Sequence, residues 1–282
     1  MKYSYYPGCS LGATAREYDL STHAVCSHLG VELAELEDWS CCGASSAHST
    51  NHVLAGALPA RNIALAQEAG HDLVVPCAAC YNRLKRTDSL LAEDPRQRRE
   101  LEELCQFTYT GTVAVRSLLE LMDAVGLSRI QEAVVRPLSG LKLAPYYGCL
   151  LVRPASVRRG DNPDHPRALD QIMEAAGATV CHWSYKTDCC GGALSIARAG
   201  IVKELVDKIL DMAVDAGASA LVTACPLCVA NLEMRRSRRH TLPVLYFTEL
   251  LAVAMGLEGT RAWFRKHLVD PYPLLRSLGL VG

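Results

Sequence analysis

The stretch WSCCGASSAH, residues 39–48, places two adjacent cysteines before a glycine. A second stretch, WSYKTDCCGG, residues 183–192, repeats this centre about half a chain length later. In both halves a single cysteine precedes the CCG triplet and a C-x-x-C pair follows it. The interval from CCG to C-x-x-C is 35 residues in each half, whereas the interval from the single cysteine to CCG is 32 residues in one half and 40 in the other. These spacings indicate an internal duplication with one loop of variable length.

The chain has 282 residues, of which 50% are apolar, and a formal net charge of -1. This length and the duplication predict two domains, residues 1–137 and residues 138–282. The near-balanced charge gives no indication of a nucleic-acid partner. The first residues lack the apolar core of a signal peptide, and no run of about 18 apolar residues is present, so we expect no membrane span and a cytoplasmic protein.

Short apolar runs alternate with longer helical patterns along both halves. The predicted strands are KYSYY, VELAEL and HDLVV in the first half and LKLAPYY, ATVCHW and ALVTA in the second. Helical periodicity is clearest over residues 55–70 and 200–217. This alternation predicts an α/β fold of two tandem, duplicated Rossmann-like domains with parallel sheets, related by a pseudo-twofold. Cysteines that follow the strands should then meet at the carboxyl edge of each sheet.

Thirteen cysteines are many for a reducing compartment, which does not keep structural disulfides closed. Metal binding or redox chemistry is the usual alternative. Zinc takes four ligands and fits a group of five candidates poorly, whereas iron–sulfur clusters are held by thiolates. We favour an iron–sulfur cluster, with zinc or a metal-free dithiol relay as alternatives. The two groups of five are Cys9, Cys41, Cys42, Cys77 and Cys80, and Cys149, Cys189, Cys190, Cys225 and Cys228.

Several phrases around these cysteines resemble the B subunit of heterodisulfide reductase, a family with paired cysteine-rich CCG domains. They are YYPGC, PYYGCLLVRP, WSYKTDCCGG and the tail RAWFRKHLVDPYPLL. The resemblance implies that each five-cysteine group binds one noncubane 4Fe-4S cluster, giving two clusters per chain. It also implies an oxidoreductase that acts on a sulfur group, with a disulfide held between the two clusters and each sulfur atom meeting one of them.

The resemblance also implies partner proteins, since this chain contains no ferredoxin cysteine run, flavin fingerprint or nucleotide-binding GxGxxG motif. The expected partners are a flavoprotein similar to the A subunit of heterodisulfide reductase and a ferredoxin-like iron–sulfur subunit similar to its C subunit. The substrate class stays open between a coenzyme heterodisulfide and sulfane sulfur on a carrier such as a lipoate-binding protein. The alternative function is an electron-relay or scaffold subunit, in a sulfur-oxidising or quinone-linked complex, that does not contact substrate.

Two further residues are candidates for catalysis. Lys186, three residues before Cys189, could stabilise a leaving thiolate, and His48, six residues after Cys42, could transfer a proton. A solvated lysine and a hydrogen-bonded structural histidine are the competing interpretations.

Other residues near the motifs have simpler expected roles. Paired tyrosines precede both single cysteines, where they could pack around a cluster or simply pack in a strand. The charged segment 92–105 predicts an exposed helix. The three cysteines outside the groups, Cys26, Cys105 and Cys181, should pack as small hydrophobic side chains.

Overall fold

The computed structural model describes residues 1–44, 50–155, 157 and 161–282. Its first half contains one four-stranded parallel sheet in the order β2-β1-β3-β4. Tyr5 on the central strand pairs with Glu35 on one side and Val74 on the other. The strands are β1 (Lys2–Tyr5), β2 (Glu32–Glu35), β3 (Leu73–Val75) and β4 (Val115–Ser117).

The second half repeats this sheet with the order β6-β5-β7-β8, again fully parallel. The predicted α/β fold of two tandem parallel-sheet units is therefore confirmed, while the division after residue 137 stays a prediction. Six strands coincide with the predicted apolar runs, and the fourth strand of each sheet was not predicted. The strands are β5 (Lys142–Tyr146), β6 (Thr179–Val180), β7 (Ala220–Thr223) and β8 (Val244–Tyr246).

Helices connect the strands and cover both sheets. Those in the first half are α1 (Gly8–Gly12), α2 (Arg16–His28), α3 (His52–Ala69), α4 (Ala78–Glu93), α5 (Pro95–Cys105), α6 (Leu118–Val125) and α7 (Leu127–Glu132). Those in the second half are α8 (Ala168–Ala175), α9 (Ala199–Asp215), α10 (Pro226–Met234), α11 (Phe247–Ala254), α12 (Thr260–Phe264) and α13 (Tyr272–Ser277), with a short 3-10 turn at Gly192–Leu194.

The helices that carry the C-x-x-C pairs start directly after buried strands. All residues of β3 and β7 are buried, as is usual for the centre of a parallel sheet. Cys77 is the N-cap residue of α4 and Cys225 that of α10, so the second cysteine of each pair lies in the first helical turn. The fold therefore presents each pair at the carboxyl edge of its sheet.

Helix α2 of the first half packs against helix α11 of the second half. The ring of Tyr18 stacks on that of Tyr246, with centroids 4.2 Å apart and planes 5° from parallel. Beside this stack, the hydroxyl oxygens of Ser21 and Thr248 lie 2.7 Å apart and both residues are buried. The seam between the halves is thus well packed and hydrogen-bonded. Within the described part of the chain, we find no helix long and apolar enough to cross a bilayer.

Candidate metal centre

Each half of the chain gathers its five cysteines at the carboxyl edge of its own sheet. In the first half the Sγ atoms of Cys42 and Cys80 lie 3.1 Å apart. In the second half the Sγ atoms of Cys190 and Cys228 lie 3.8 Å apart. The second cysteine of each CCG triplet therefore meets the second cysteine of the following C-x-x-C pair. We call the five cysteines of the first half the first set and those of the second half the second set.

The glycine of each CCG triplet closes a tight turn around the first cysteine of the pair. The amide of Gly43 donates to Cys41 Sγ at 3.4 Å, and the amide of Gly191 donates to Cys189 Sγ at 3.3 Å. Both glycines have φ in the left-handed region, at 73° and 77°. Because any side chain larger than a hydrogen atom strains this conformation, the turn requires glycine at this position.

A second glycine in each half makes room for a sulfur atom. Gly8 and Gly148 precede the single cysteines and have φ of 65° and 64°. A Cβ atom at Gly8 would lie 3.1 Å from Cys80 Sγ, and one at Gly148 would lie 3.1 Å from Cys228 Sγ. The backbone before each single cysteine thus touches the last thiol of its set.

One tyrosine in each half holds the peptide that leads into the CCG triplet. The Tyr6 hydroxyl donates to Ser40 O at 2.7 Å, and the Tyr146 hydroxyl donates to Asp188 O at 2.6 Å. Burial and then the surrounding thiols of its set raise the pKa of each phenol, which keeps the hydroxyl a donor. Sequence reasoning proposed packing around the cysteines and missed this hydrogen bond.

The two tyrosine pairs are not equivalent in space, although their sequences look alike. Tyr6 corresponds to Tyr146, because both bond the residue before the first cysteine of the CCG pair. Tyr5 and Tyr147 instead donate to buried aspartates, Asp19 at 2.8 Å and Asp170 at 2.5 Å respectively.

Hydrogen bonding among the thiols separates their pKa values in the first set. The bond with Cys80 is the largest influence on Cys42 and lowers its pKa to about 7. The bond with Cys80 also lowers the pKa of Cys77, while the same two bonds raise the pKa of Cys80. Since the thiolate is the form that binds metals, two ligand candidates are biased toward that form.

The second set follows the same pattern with different partners. A hydrogen bond with Cys149 is the largest influence on Cys189 and lowers its pKa to about 6, while it raises the pKa of Cys149. The bond with Cys228 lowers the pKa of Cys190 and raises that of Cys228. Each set therefore again offers two thiols that lose their protons readily.

Each set has a buried side and an open side. Cys9, Cys41 and Cys189 are exposed, and Cys149 is partly exposed. The other six members are buried, namely Cys42, Cys77, Cys80, Cys190, Cys225 and Cys228. The open sides would let a solute reach the thiols from solvent.

Tyr18 of the first half lies beside a cysteine segment of the second half. This fully buried phenol has a raised pKa, caused first by burial and then by the thiols of Cys225 and Cys77. Its hydroxyl donates to Ala224 O at 3.2 Å, next to Cys225. One side chain of the first half is therefore close to a cysteine of each set.

Lys186 forms an ion pair with the buried carboxylate of Asp170. Its side chain is 12% exposed. The carbonyl of Lys186 accepts from the amides of Tyr147 at 2.8 Å and Gly148 at 3.1 Å, which ties it to the segment of Cys149. His48 lies outside the described residues.

The three remaining cysteines lie apart from the sets. Cys26 and Cys181 are buried, and burial raises the pKa of both, to about 12 for Cys26. Cys105 is partly buried, with Sγ 3.5 Å from Ala57 O. The predicted helix around residues 92–105 is present as α5, in which only Leu101 is buried.

In the described residues no three His, Cys, Asp or Glu side chains are already arranged to hold a single metal ion. The donor chemistry nevertheless fits an iron–sulfur cluster, because each set offers five thiols with two of lowered pKa.

The cysteine-rich CCG domain family matches the chain twice, at residues 3–85 and 143–233. The two matches cover more than half of the chain and include every cysteine of both sets. The chain belongs to this family and carries two tandem copies of its domain.

Several characterised proteins are similar over nearly the whole chain. The 8-methylmenaquinol:fumarate reductase membrane anchor subunit of Wolinella succinogenes is 28% identical, covering 95% of this chain and 97% of the relative. A protein of Archaeoglobus profundus named as like the heterodisulfide reductase B subunit is 28% identical, covering 92% of each chain. The B subunit of the ferredoxin/F(420)H(2)-dependent CoB-CoM heterodisulfide reductase of Methanosarcina acetivorans is also 28% identical, covering 98% of this chain and 97% of the relative. The resemblance to the B subunit is confirmed.

Among solved structures, a hypothetical protein from Helicobacter pylori has the same fold. The TM-score is 0.73 at 14% identity, over 95% of this chain. The chain spans about half of that protein, 52% of its length.

Proposed function

We propose that the chain is the iron–sulfur subunit in which a heterodisulfide reductase-like complex cleaves or forms a disulfide or handles sulfane sulfur. The observation that carries this proposal is the pair of five-cysteine sets, one at the carboxyl edge of each parallel sheet. In the proposal each set binds one noncubane 4Fe-4S cluster, two per chain. Relatives named as heterodisulfide reductase B subunits support this over a relay or scaffold role without substrate contact.

In this proposal the side chains of the protein bind the clusters, orient the cysteine ligands and keep water away from the buried ones. Cys42, Cys77 and Cys80 form the buried floor of the first set, and their counterparts form that of the second. Tyr6 and Tyr146 fix the peptides before the CCG triplets, so that adjacent cysteines point to one place. When bound, each cluster would exchange one electron and offer a position for one sulfur atom.

The open sides define where a substrate would enter. Cys9 and Cys41 border the first set on the solvent side, and Cys149 and Cys189 border the second. Reduction breaks one S–S bond and consumes two electrons and two protons, which yields two thiols. In the proposal the two sets divide the two sulfur atoms and the two electrons between them.

The electrons would come from other proteins. We propose as partners a flavoprotein and a ferredoxin-like iron–sulfur subunit, similar to the A and C subunits of heterodisulfide reductase. The proposed substrate is a disulfide or a sulfur carrier such as a lipoate-binding protein. The proposed compartment is the cytoplasm, where thirteen free cysteines stay reduced.

Metal analysis tests the cofactor. Anaerobic purification should give about eight irons per chain and a similar amount of acid-labile sulfide. The chain should then reduce a disulfide with a reduced viologen dye as electron donor. Stoichiometric zinc without labile sulfide would contradict the proposal, and full iron without disulfide reduction would favour the relay.

A further inference from the structure

We propose that Asn82 of the first half positions Cys149 of the second half, so that the second cysteine set depends on a residue of the first half for its geometry. Asn82 follows Cys80 by two residues in helix α4. Its side chain crosses to the turn that begins at Cys149. This inference rests on the proposed function only in taking Cys149 as a cluster ligand.

The amide group of Asn82 makes two hydrogen bonds to that turn. Its Nδ2 atom donates to Leu150 O at 2.7 Å and to Arg153 O at 2.8 Å. Both hydrogens of the amide are thereby used. The amide of Arg153 donates back to Cys149 O at 2.9 Å, which closes the turn. Asn82 therefore binds two carbonyls of the turn that begins at Cys149.

The donor of these bonds is buried, and so are the two apolar side chains at the centre of the turn. Asn82 is 3% exposed, and Leu151 and Val152 within the turn are 2% exposed each. The two acceptor carbonyls belong to exposed residues, Leu150 and Arg153, and both bonds are part-buried, so water can bind these carbonyls when the donor is removed. The turn would then lose its direct link to α4, and Cys149 would gain freedom to move with it.

The residue before Asn82 holds a later part of the same loop. Tyr81 is fully buried, and its hydroxyl donates to Val157 O at 2.7 Å. Two consecutive residues after the last cysteine of the first set thus contact the loop that follows the first cysteine of the second set.

Helix α10 of the second half also lies against α1, which carries Cys9, but in the described residues it makes no matching side-chain hydrogen bond there. The two residues after Cys228 are Val229 and Ala230, which carry no side-chain donor. The next residue, Asn231, turns within its own half and donates to Cys190 O. The cysteines are duplicated, but this cross-connection is not, so its donors come from the first half alone.

The test measures thiol accessibility in the full-length chain, as purified without oxygen and after iron removal. Labelling with N-ethylmaleimide is followed at Cys149 and Cys9 by peptide mass spectrometry. Asn82→Ala should speed labelling of Cys149 about tenfold, because both hydrogen bonds that hold the turn are lost, and leave Cys9 unchanged. Asn82→Asp has the same shape but turns a carboxylate toward two carbonyls, so it should speed labelling more. In the purified chain both variants should lose about half of the iron.

Ser21→Ala is the matched control, since it removes a buried contact between the halves, to Thr248, that does not involve the Cys149 turn. It should leave Cys149 labelling at the wild-type rate. If either Asn82 variant fails to fold, Tyr81→Phe serves as the test variant. It removes the hydrogen bond to Val157 O and should speed Cys149 labelling about fivefold.

The inference is overturned if Asn82→Asp labels like the wild type, or if Ser21→Ala accelerates Cys149 as strongly as Asn82→Ala. A wild-type chain that binds no iron, yet shows the labelling contrast in its variants, would instead overturn the proposed function alone.

Discussion

The Tyr18 hydroxyl donates a hydrogen bond of 3.2 Å to the carbonyl of Ala224, although 206 positions separate the two residues. Ala224 immediately precedes Cys225, so a side chain of the first half fixes a cysteine segment of the second. The same ring stacks on Tyr246 at 4.2 Å. The hydrogen bond and the stack together join the two sheets beside the two cysteine sets.

Substitutions at Tyr18 separate these two contributions. Tyr18→Phe keeps the stack but leaves the buried Ala224 carbonyl without its donor, which should cost about 1–3 kcal/mol in free energy of unfolding. Tyr18→Leu should cost about 0.5–1.5 kcal/mol more, because the aromatic pair with Tyr246 is lost as well. Denaturant unfolding of the iron-free chain measures both. A Phe variant as stable as the wild type would show that the hydrogen bond does not join the halves.

A buried histidine predicts how stability depends on pH. His267 Nε2 lies 3.1 Å from both carboxylate oxygens of Glu249, and its Nδ1 lies 3.3 Å from Glu233 Oε1. Burial lowers the pKa of His267, but Glu249 and Glu233 outweigh it and raise the pKa to about 10. Glu17 of α2 faces the same cluster, and burial raises its pKa.

Because the folded pKa exceeds the unfolded value of about 6.5, protonated His267 stabilises the fold. This stabilisation is fully present below about pH 6.5 and should be lost as pH rises through about 10. His267→Gln should lower the free energy of unfolding by about 3–5 kcal/mol at neutral pH, since it leaves buried carboxylates uncompensated. It should also reduce the loss of stability at alkaline pH. Urea unfolding from pH 6 to 11 tests this, with His28→Gln on the exposed end of α2 as the control. An unchanged alkaline loss in the His267 variant would contradict the assignment.

The sequence was most informative where periodicity and spacing are local. The runs that became β1 and β5 are apolar over several residues, and the equal CCG to C-x-x-C intervals identified both cysteine sets. Strands β4 and β8 were missed because helices α6 and α11 start at the very next residue, so no turn separates each short strand from the apolar helix that follows it.

The contacts between the halves were not predictable from the sequence. Asn82 reaches Leu150 only because the two sheets pack with α4 beside the Cys149 turn, and no local pattern encodes that arrangement. The correspondence of the tyrosines, by contrast, can be read from the sequence. Tyr6 and Tyr146 each lie three residues before the single cysteine, and Pro7 stands where the second half has Tyr147.

The contact of Gly148 with a thiol predicts a specific loss at the second set. Gly148→Ala strains a left-handed backbone and places a methyl group 3.1 Å from Cys228 Sγ. Gly217→Ala is the control, because Gly217 has φ of 79° and no atom within 4 Å of the added Cβ. Both variants should lose about 1–2 kcal/mol from backbone strain. Only Gly148→Ala should lose about half of the iron, and equal iron in the two variants would contradict a role of this contact.

Lys186 remains a proposal for stabilising a leaving thiolate. In that role, Lys186→Ala should keep both clusters and slow turnover by about tenfold to a hundredfold. The pairing of Lys186 with Asp170 defines the control. The double variant Lys186→Met, Asp170→Asn removes both charges, so it should be more stable than Lys186→Ala but should turn over as slowly. Recovery of turnover in the double variant would show that Lys186 acts only by neutralising Asp170.

The central claim is that both cysteine sets bind clusters and meet one substrate. The most direct test removes one ligand from each in turn, with Cys42→Ala and Cys190→Ala, and measures iron and disulfide reduction together. Each variant should keep about half of the iron, because only one cluster is lost. Each should lose disulfide reduction entirely, because each set is proposed to bind one sulfur atom and transfer one electron. Cys26→Ala, at a buried cysteine outside the sets, should keep full iron and full activity. Retained disulfide reduction in either variant would mean that only one set meets the substrate, which would contradict the account.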